Sequence, residues 1–506
     1  MNKNINRHSS KSIIYVIIAL ISVVTSLFLL GEQTRDWSQY ADQDLTLAYN
    51  ALLVNEGYKQ EYYDHPGFFT IRFLATLIKI KFLLGYSDIQ TISDLNNNPS
   101  LYSAFTDIVS TAHFLSFMSA GITVFFLYLY SSAILKSNSS AFYLALATLV
   151  SGSVLCHFIR LRTEMIACLI LYVAMYLLYR AHALKREKGA IFFLYAALIF
   201  FNLSLLNKIQ LILYIPFYVF WMIHLYLNDK GKNEKIYYDK DLQKKALHSI
   251  LIAIIFFCSL AKGLSILFQF FYVLIFNGLV YFYTWSNGGN IYKNIIIFNR
   301  TNIISLIIVF VVFTLVYGYN GELFSMLHSP MLMLAWANNE IRESFGLQTS
   351  IQRFISMAWI AIIFPIKEIL IKLNSESFLF YLNIALLFIL KKQSRASKNN
   401  VTICLLFFYI ISIISSFRYR NEQYIIFSEF FLIMALVSQI SILKNKAIFC
   451  FAIFFIMLLI NYREIKTRLF NTGSNIQFLC TNSYMSDWHK KLDIVKFNTE
   501  CKKYVN

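Results

Sequence analysis

The sequence predicts an all-α polytopic membrane protein, and three observations carry that prediction. Hydrophobic residues make up 58 % of the 506 residues and charged residues only 14 %. Soluble domains average roughly 45–50 % and about 25 %, so much apolar surface must meet something other than water. The apolar residues fall in uncharged runs, each able to span about 30 Å of hydrocarbon as a helix. Lys and Arg cluster in the short gaps between runs, as in Lys185, Arg186 and Lys188, or Lys391, Lys392, Arg395 and Lys398, where cytoplasmic loops carry positive charge. That scatter also excludes nucleic acid as the partner behind the net charge of +18, because a nucleic-acid footprint forms one continuous basic face. The 48 Phe and 33 Tyr exclude low-complexity disorder.

The first run, Ile13 to Gly31, follows Lys3, Arg7 and Lys11. It exceeds the 7–15 apolar residues or so of a signal peptide, and no small-residue cleavage site follows Leu30. It reads as an uncleaved helix with a cytoplasmic N-terminus. Glu32 to Asp107 then falls outside and holds ten of the 27 acids. Within it, Gly67 to Leu84 is apolar except for Arg72, Lys79 and Lys81. Arg72, Thr76 and Lys79 share one helical face, which suggests a helix lying on the outer membrane surface.

Ile108 to Leu135, Ser137 to Ile159, Met165 to Tyr179, Gly189 to Asn207 and Ile209 to Asn228 are the next candidate spans. Crossing in turn, they put Lys136, Arg180 to Lys188, and Asp229 to Lys245 inside, and all three gaps carry base. Gly263 to Tyr292, Thr301 to Gly321, Phe354 to Leu373 and Phe378 to Leu390 follow closely. Phe354 to Leu373 contains Pro365, Lys367, Glu368 and Lys372 and is expected to be interfacial. Lys391 to Lys398 then lies inside, Arg418 to Gln423 outside, Lys444 and Lys446 inside, and Asn461 to Asn506 outside. Parity requires an odd number of crossings, about 11–13. The expected organisation is a membrane core over residues 1–460, with the first outer loop at 31–107, and a small extracytoplasmic tail at 461–506. Cys156, Cys168, Cys258, Cys404 and Cys450 lie in apolar runs as packing residues. Cys480 and Cys501 lie in the exported tail, where a disulfide and two unrelated thiols are both open readings.

The first outer loop carries Tyr40-Ala41-Asp42-Gln43-Asp44, and Tyr62-Tyr63-Asp64-His65-Pro66-Gly67 before the surface helix. Asp42 and Asp44 are two residues apart, so a strand or helix points them in roughly opposite directions and one of them faces a pocket. Asp64-His65-Pro66 can open a helix, since Pro is tolerated in the first turn. Basic residues occur outside, where the positive-inside rule does not place them: Arg160 and Arg162 beside Glu164, Lys208, and Arg418 and Arg420. Snorkelling accounts for any one of them. Three helix ends presenting cations on one side point to a bound anion, and phosphate suits paired Arg geometry. Glu429 is an acid within an apolar run and a functional candidate on that ground.

The acidic pair in the first outer loop, the acid-base-Pro step, the Arg-rich start with Glu164, Asn207-Lys208 at a helix end, and Ser416-Phe417-Arg418-Tyr419-Arg420 together resemble the polyprenyl-phosphate-dependent membrane glycosyltransferases. This GT-C superfamily includes the protein mannosyltransferases and the lipid A aminoarabinose transferase. The usual Asp-Glu pair is here Asp-Gln-Asp, and the Pro-rich stretch after the late Arg-Tyr is missing. The bacterial serotype-converting O-antigen glucosyltransferases are similar in size and build.

The resemblance implies a GT-C-like bundle with surface helices on its outer face. It also implies transfer of a sugar from a polyprenyl-phosphate donor to an acceptor hydroxyl of a glycan, lipid or protein, usually with inversion. Asp42 or Asp44 would be the catalytic base. Asp64, His65, Arg160, Arg162, Glu164, Lys208, Arg418 and Arg420 would bind substrates. A divalent metal is left open, and no other cofactor is implied. The site would face the periplasm from a bacterial inner membrane. A polysaccharide polymerase or ligase is the alternative reading. A transporter ranks third, since no internal repeat is visible and there are only 16 Gly and five Pro.

Overall fold

The computed structural model describes residues 36–61, 67–158, 160–184, 189–208, 240–260, 291–317, 374–390, 395–416, 422–469, 476–481 and 489–505, with shorter stretches such as 21–26 and 276–281. Among the described residues every regular element is helical. The chain divides into two compact units. The first holds Met1–Tyr63, Gly67–Tyr172 and Ala358–Asn506; the second holds Asp64–Pro66 and Val173–Met357.

The first unit opens with a short 3-10 turn, Trp37–Tyr40, that leads into α1, Ala41–Asn55. Asp44 through Leu53 are all buried, so α1 is enclosed around its whole circumference. Helix α2, Phe68–Leu83, packs on α1 through Ile71, Leu74, Ala75 and Ile78. Gly67 caps it with φ 57, a left-handed conformation that favours glycine. The described helix starts at Phe68, and the Asp64-His65-Pro66 step lies outside the described residues. A capping box of Thr91 and Asp94 starts α3, Ile92–Asn97. Helix α4, Leu101–Leu135, follows with Ser100 as N-cap. At 1.5 Å per residue it is about 50 Å long, more than a hydrocarbon core requires.

The sequence reads Ser137 to Ile159 as one span, but the chain forms two helices there: α5, Asn138–Leu149, and α6, Gly152–Phe158, bent by 68°. Ser151 sits at the break, where its hydroxyl accepts from the Val154 N–H and its carbonyl from the Leu155 N–H. The side chain thus restarts the helix in a new direction. Helix α7, Thr163–Ala183, carries the chain out of this unit.

In the second unit, α8 (Gly189–Asn207) and α9 (Lys240–Leu260) both pack on α10 (Ile291–Tyr317). Its buried polar centre is Asn299, which bonds Asn277 and the Ser249 hydroxyl. A small cavity lined by Pro216, Phe276, Asn277, Phe298, Asn299 and Asn302 adjoins that network.

The first unit resumes with α11 (Ser375–Ile389), α12 (Arg395–Ser416), α13 (Glu422–Ile440) and α14 (Lys446–Ile460). Helix α13 is buried almost continuously from Ile425 to Val437 between α12 and α11. After α15, Tyr462–Leu469, the tail forms α16, Ile476–Thr481, and α17, Ile494–Val505. A Cys480–Cys501 disulfide joins α16 to α17.

The tail packs into the first outer loop. Leu479, Met485, Leu492 and Phe497 share one buried core with Trp37, Leu45, Tyr49, Leu74 and Phe105. Glu500 accepts from the Leu101 and Tyr102 N–H groups at the start of α4, at 2.9 and 3.2 Å. A carboxylate there meets both the unpaired donors and the positive end of the helix dipole. The Tyr49 hydroxyl accepts from the Lys491 N–H and donates to Glu61, both at 2.8 Å. Burial pushes that hydroxyl's pKa far above its ordinary value. One shared core places the loop and the tail on the same side of any membrane.

Three helices, α4, α7 and α8, are long and apolar enough to cross a membrane, and the bent α5–α6 pair would make a fourth span. Shorter apolar helices run over Ser375–Ile389, Lys398–Ser412, Ile425–Ile440 and Lys446–Ile460. By length and composition this is an all-α membrane protein. Most of Ile209 to Asn228, of Gly263 to Tyr292 and of Phe354 to Leu373 lies outside the described residues.

Candidate functional site

Asp42 and Asp44 both lie in the first turn of α1, where the helix dipole favours acids. The Asp44 side chain is 1 % exposed, and its Oδ2 lies 3.0 Å from Nε2 of His113, itself 4 % exposed. Oδ1 of Asp44 is buried with no hydrogen-bond partner among the described residues. The side chain of Asp42, and all of Asp64 and His65, lie outside the described residues.

His113 belongs to α4, and the next turn of α4 carries Ser116. The Ser116 hydroxyl reaches the Arg160 carbonyl at 2.7 Å and also the His157 carbonyl. These bonds tie the link between α6 and α7 to α4 one turn beyond the Asp44–His113 pair. Along that link Arg160 is half-buried, Arg162 is 7 % exposed and Glu164 is fully buried in the first turn of α7. The Thr163 hydroxyl donates to Glu164 Oε2 at 3.3 Å. Leu45, next to Asp44, and Leu161, between the two arginines, share one buried cluster. The structure therefore holds Asp44, through His113, and the Arg160 backbone, through Ser116, on adjacent turns of a single helix.

Of the other expected cations, only Lys208 is among the described residues. Lys208 is buried in the second unit at the end of α8, where its N–H donates to the Ser204 carbonyl at 3.0 Å. Arg418 and Arg420 lie outside the described residues. Glu429, 1 % exposed, sits in a separate polar centre. It accepts from the Ser153 hydroxyl, and the hydroxyls of Ser151 and Ser375 face its carboxylate. Beside it the Ser428 hydroxyl donates to Glu376 at 2.9 Å. The Ser375-Glu376 and Ser428-Glu429 steps of α11 and α13 thus clasp one another.

Sequence reasoning missed His113 and Ser116. Their signal was present as a histidine in a run otherwise free of charge, with a serine three residues on. Among the described residues no three His, Cys, Asp or Glu side chains come together as metal ligands.

A helical membrane protein with a buried acid–imidazole pair beside a basic inter-helix link is the class that fold and site define. Compared with known protein families, curated proteins and solved structures, the chain matches none of them.

Proposed function

We propose that the protein transfers a sugar from a polyprenyl-phosphate donor to an acceptor hydroxyl at the membrane surface, with inversion. The observation that carries this reading is the placement of Asp44, through His113, and the Arg160 backbone, through Ser116, on adjacent turns of α4. The acceptor oxygen attacks the anomeric carbon, the bond from that carbon to the phosphate oxygen breaks, and the phosphate leaves with the electron pair. Asp44 takes the acceptor proton, His113 holds its carboxylate in place, and Arg160 and Arg162 stabilise the charge growing on the phosphate. Asp42 is the alternative base on the same turn, and Glu164 adds a substrate contact in this reading.

The disulfide between Cys480 and Cys501 supports an oxidising compartment for the loop and tail. In this reading that compartment is the periplasm, the membrane is a bacterial inner membrane, and the fold is a GT-C-like bundle of 11 or 13 crossings. The test offers radiolabelled polyprenyl-phosphate sugars and glycan, lipid or protein acceptors to purified protein and measures carrier phosphate release. Transfer should fall by about 10²–10⁴-fold in Asp44→Asn with donor affinity nearly kept. Undiminished transfer in both Asp44→Asn and Asp42→Asn would remove the proposed base. Release of a polyprenyl diphosphate would turn the assignment to a polymerase or ligase.

A further inference from the structure

We propose that the outward face of α2 is a docking surface for anionic phospholipid, and that it seats the first outer loop in the headgroup layer. The inference does not depend on sugar transfer.

Helix α2 buries Thr70, Ile71, Leu74, Ala75 and Ile78. On its other side Phe73, Ile80 and Leu84 are 46, 45 and 64 % exposed. At about 100° per residue these three fall within roughly 40° of one another, so they form a stripe. Leu83 and Tyr86 extend the exposed apolar surface at the C-terminal end. Arg72, Thr76 and Lys79 run along one flank of the stripe, all exposed. An apolar stripe edged by cations is the pattern of a helix lying in a membrane interface, and exposed apolar surface of this kind marks an interaction site.

The neighbouring helix indicates what covers the stripe. The outward residues of α4 are polar at its start, with Ser103 and Thr106 exposed and Ser110 half-buried. One turn later they become Phe114, Met118 and Ile122, each about two-fifths exposed. The change from water to lipid along α4 thus falls between Ser110 and Phe114. Lys81, near the end of α2, pairs with Asp107 of α4, and its Nζ lies 3.3 Å from the Thr111 hydroxyl. That contact fixes the end of α2 within a turn of the boundary. With that end tied near the boundary, the stripe in this proposal enters the lipid beside the apolar face of α4, with Arg72 and Lys79 toward the lipid phosphates, where long basic side chains settle.

The test uses the full-length protein in nanodiscs of phosphatidylcholine and phosphatidylglycerol containing doxyl-labelled lipid. Cysteines introduced by Ile80→Cys and Leu84→Cys carry a bimane label; the unsubstituted chain, labelled alike, supplies the background. Ser93→Cys and Asn97→Cys serve as controls. They lie on α3, before α4 begins and so about 20 Å of helix above Phe114. Quenching at Ile80 and Leu84 should exceed that at the controls about threefold or more, and should deepen with phosphatidylglycerol content. In Arg72→Glu/Lys79→Glu the dependence on phosphatidylglycerol should vanish. Equal quenching at all four positions would overturn the docking surface; strong quenching indifferent to phosphatidylglycerol would overturn its anionic preference. If a cysteine variant fails to fold, a benzoyl-phenylalanine photocrosslinker in place of Phe73 decides instead. Capture of phospholipid supports the proposal, and capture of protein alone overturns it.

Discussion

The outer loop with its docked tail and the helical bundle satisfy their polar groups in opposite ways. In the loop region, side chains reach backbone far away in sequence. Asn55 donates to the carbonyls of Ala75 and Gln90, Asn96 bonds the Lys491 carbonyl and the Asp493 N–H, and Glu500 caps the start of α4. In the bundle, hydroxyls and amides mostly bond back to their own helix four residues earlier: Ser119 to Leu115, Thr123 to Ser119, Thr148 to Leu144 and Asn383 to Leu379. A bundle facing lipid must close its backbone hydrogen bonds within each helix, whereas a loop has irregular backbone that side chains must serve. A polar link between helices is therefore ordinary architecture in the first region and a departure in the second. The Asp44–His113 pair is where the two regions meet, with the acid on the loop and the imidazole on α4.

Breaking that junction should have the largest effect. Leaving a buried carboxyl group without its hydrogen-bond partner costs upward of about 3 kcal/mol, so His113→Ala should lower unfolding stability by that order. Asp44→Asn, which keeps a polar group against the imidazole, should cost less. A His113→Ala stability within about 1 kcal/mol of the parent in denaturant titrations would show that the pair carries no such weight.

The staple of the tail comes next. The disulfide joins cysteines 21 residues apart, and closing a loop of that size contributes about 3 kcal/mol. Cys480→Ser/Cys501→Ser should expose the amides of α17 to hydrogen exchange while leaving those of α13 protected. Parallel loss in both helices would mean that the two regions unfold as one.

Acid should separate the regions more gently. Burial of His489 lowers its pKa from 6.5 to about 4, so the docked tail holds it neutral. Above about pH 6.5 its stabilising contribution is fully present. As pH falls from 6.5 toward 4 the undocked form takes up the proton first, and docking weakens by about 2 kcal/mol at pH 5. Exchange of the tail amides should rise across that window, and His489→Phe should flatten the rise.

The smallest effect is expected at Lys81. Its pair with Asp107 is more than a quarter exposed on both sides, and such pairs contribute up to about 1 kcal/mol. Lys81→Ala should leave thermal stability almost unchanged.

What the sequence determined by itself is the membrane class and the positions of most helices, because hydrophobic run length and charge placement are local properties. The uncharged run Ile108 to Leu135 marked all but the first two turns of α4, and Gly67 to Leu84 became α2 almost to the residue. The acids of the first loop and the cations at 160 and 162 were legible as residue types out of place. Only the tertiary structure decided their partners. Asp44 and His113 are 69 positions apart, Ser116 and Arg160 are 44 apart, and no local pattern encodes which turn of α4 each will meet. The bend at Ser151 was likewise hidden, since an apolar run reads the same whether straight or broken and the serine that restarts the helix acts through one side-chain bond. The tail's place on the loop followed from burying Leu479, Leu492 and Phe497 against Leu45 and Phe105, a match of surfaces that exists only once both segments have folded.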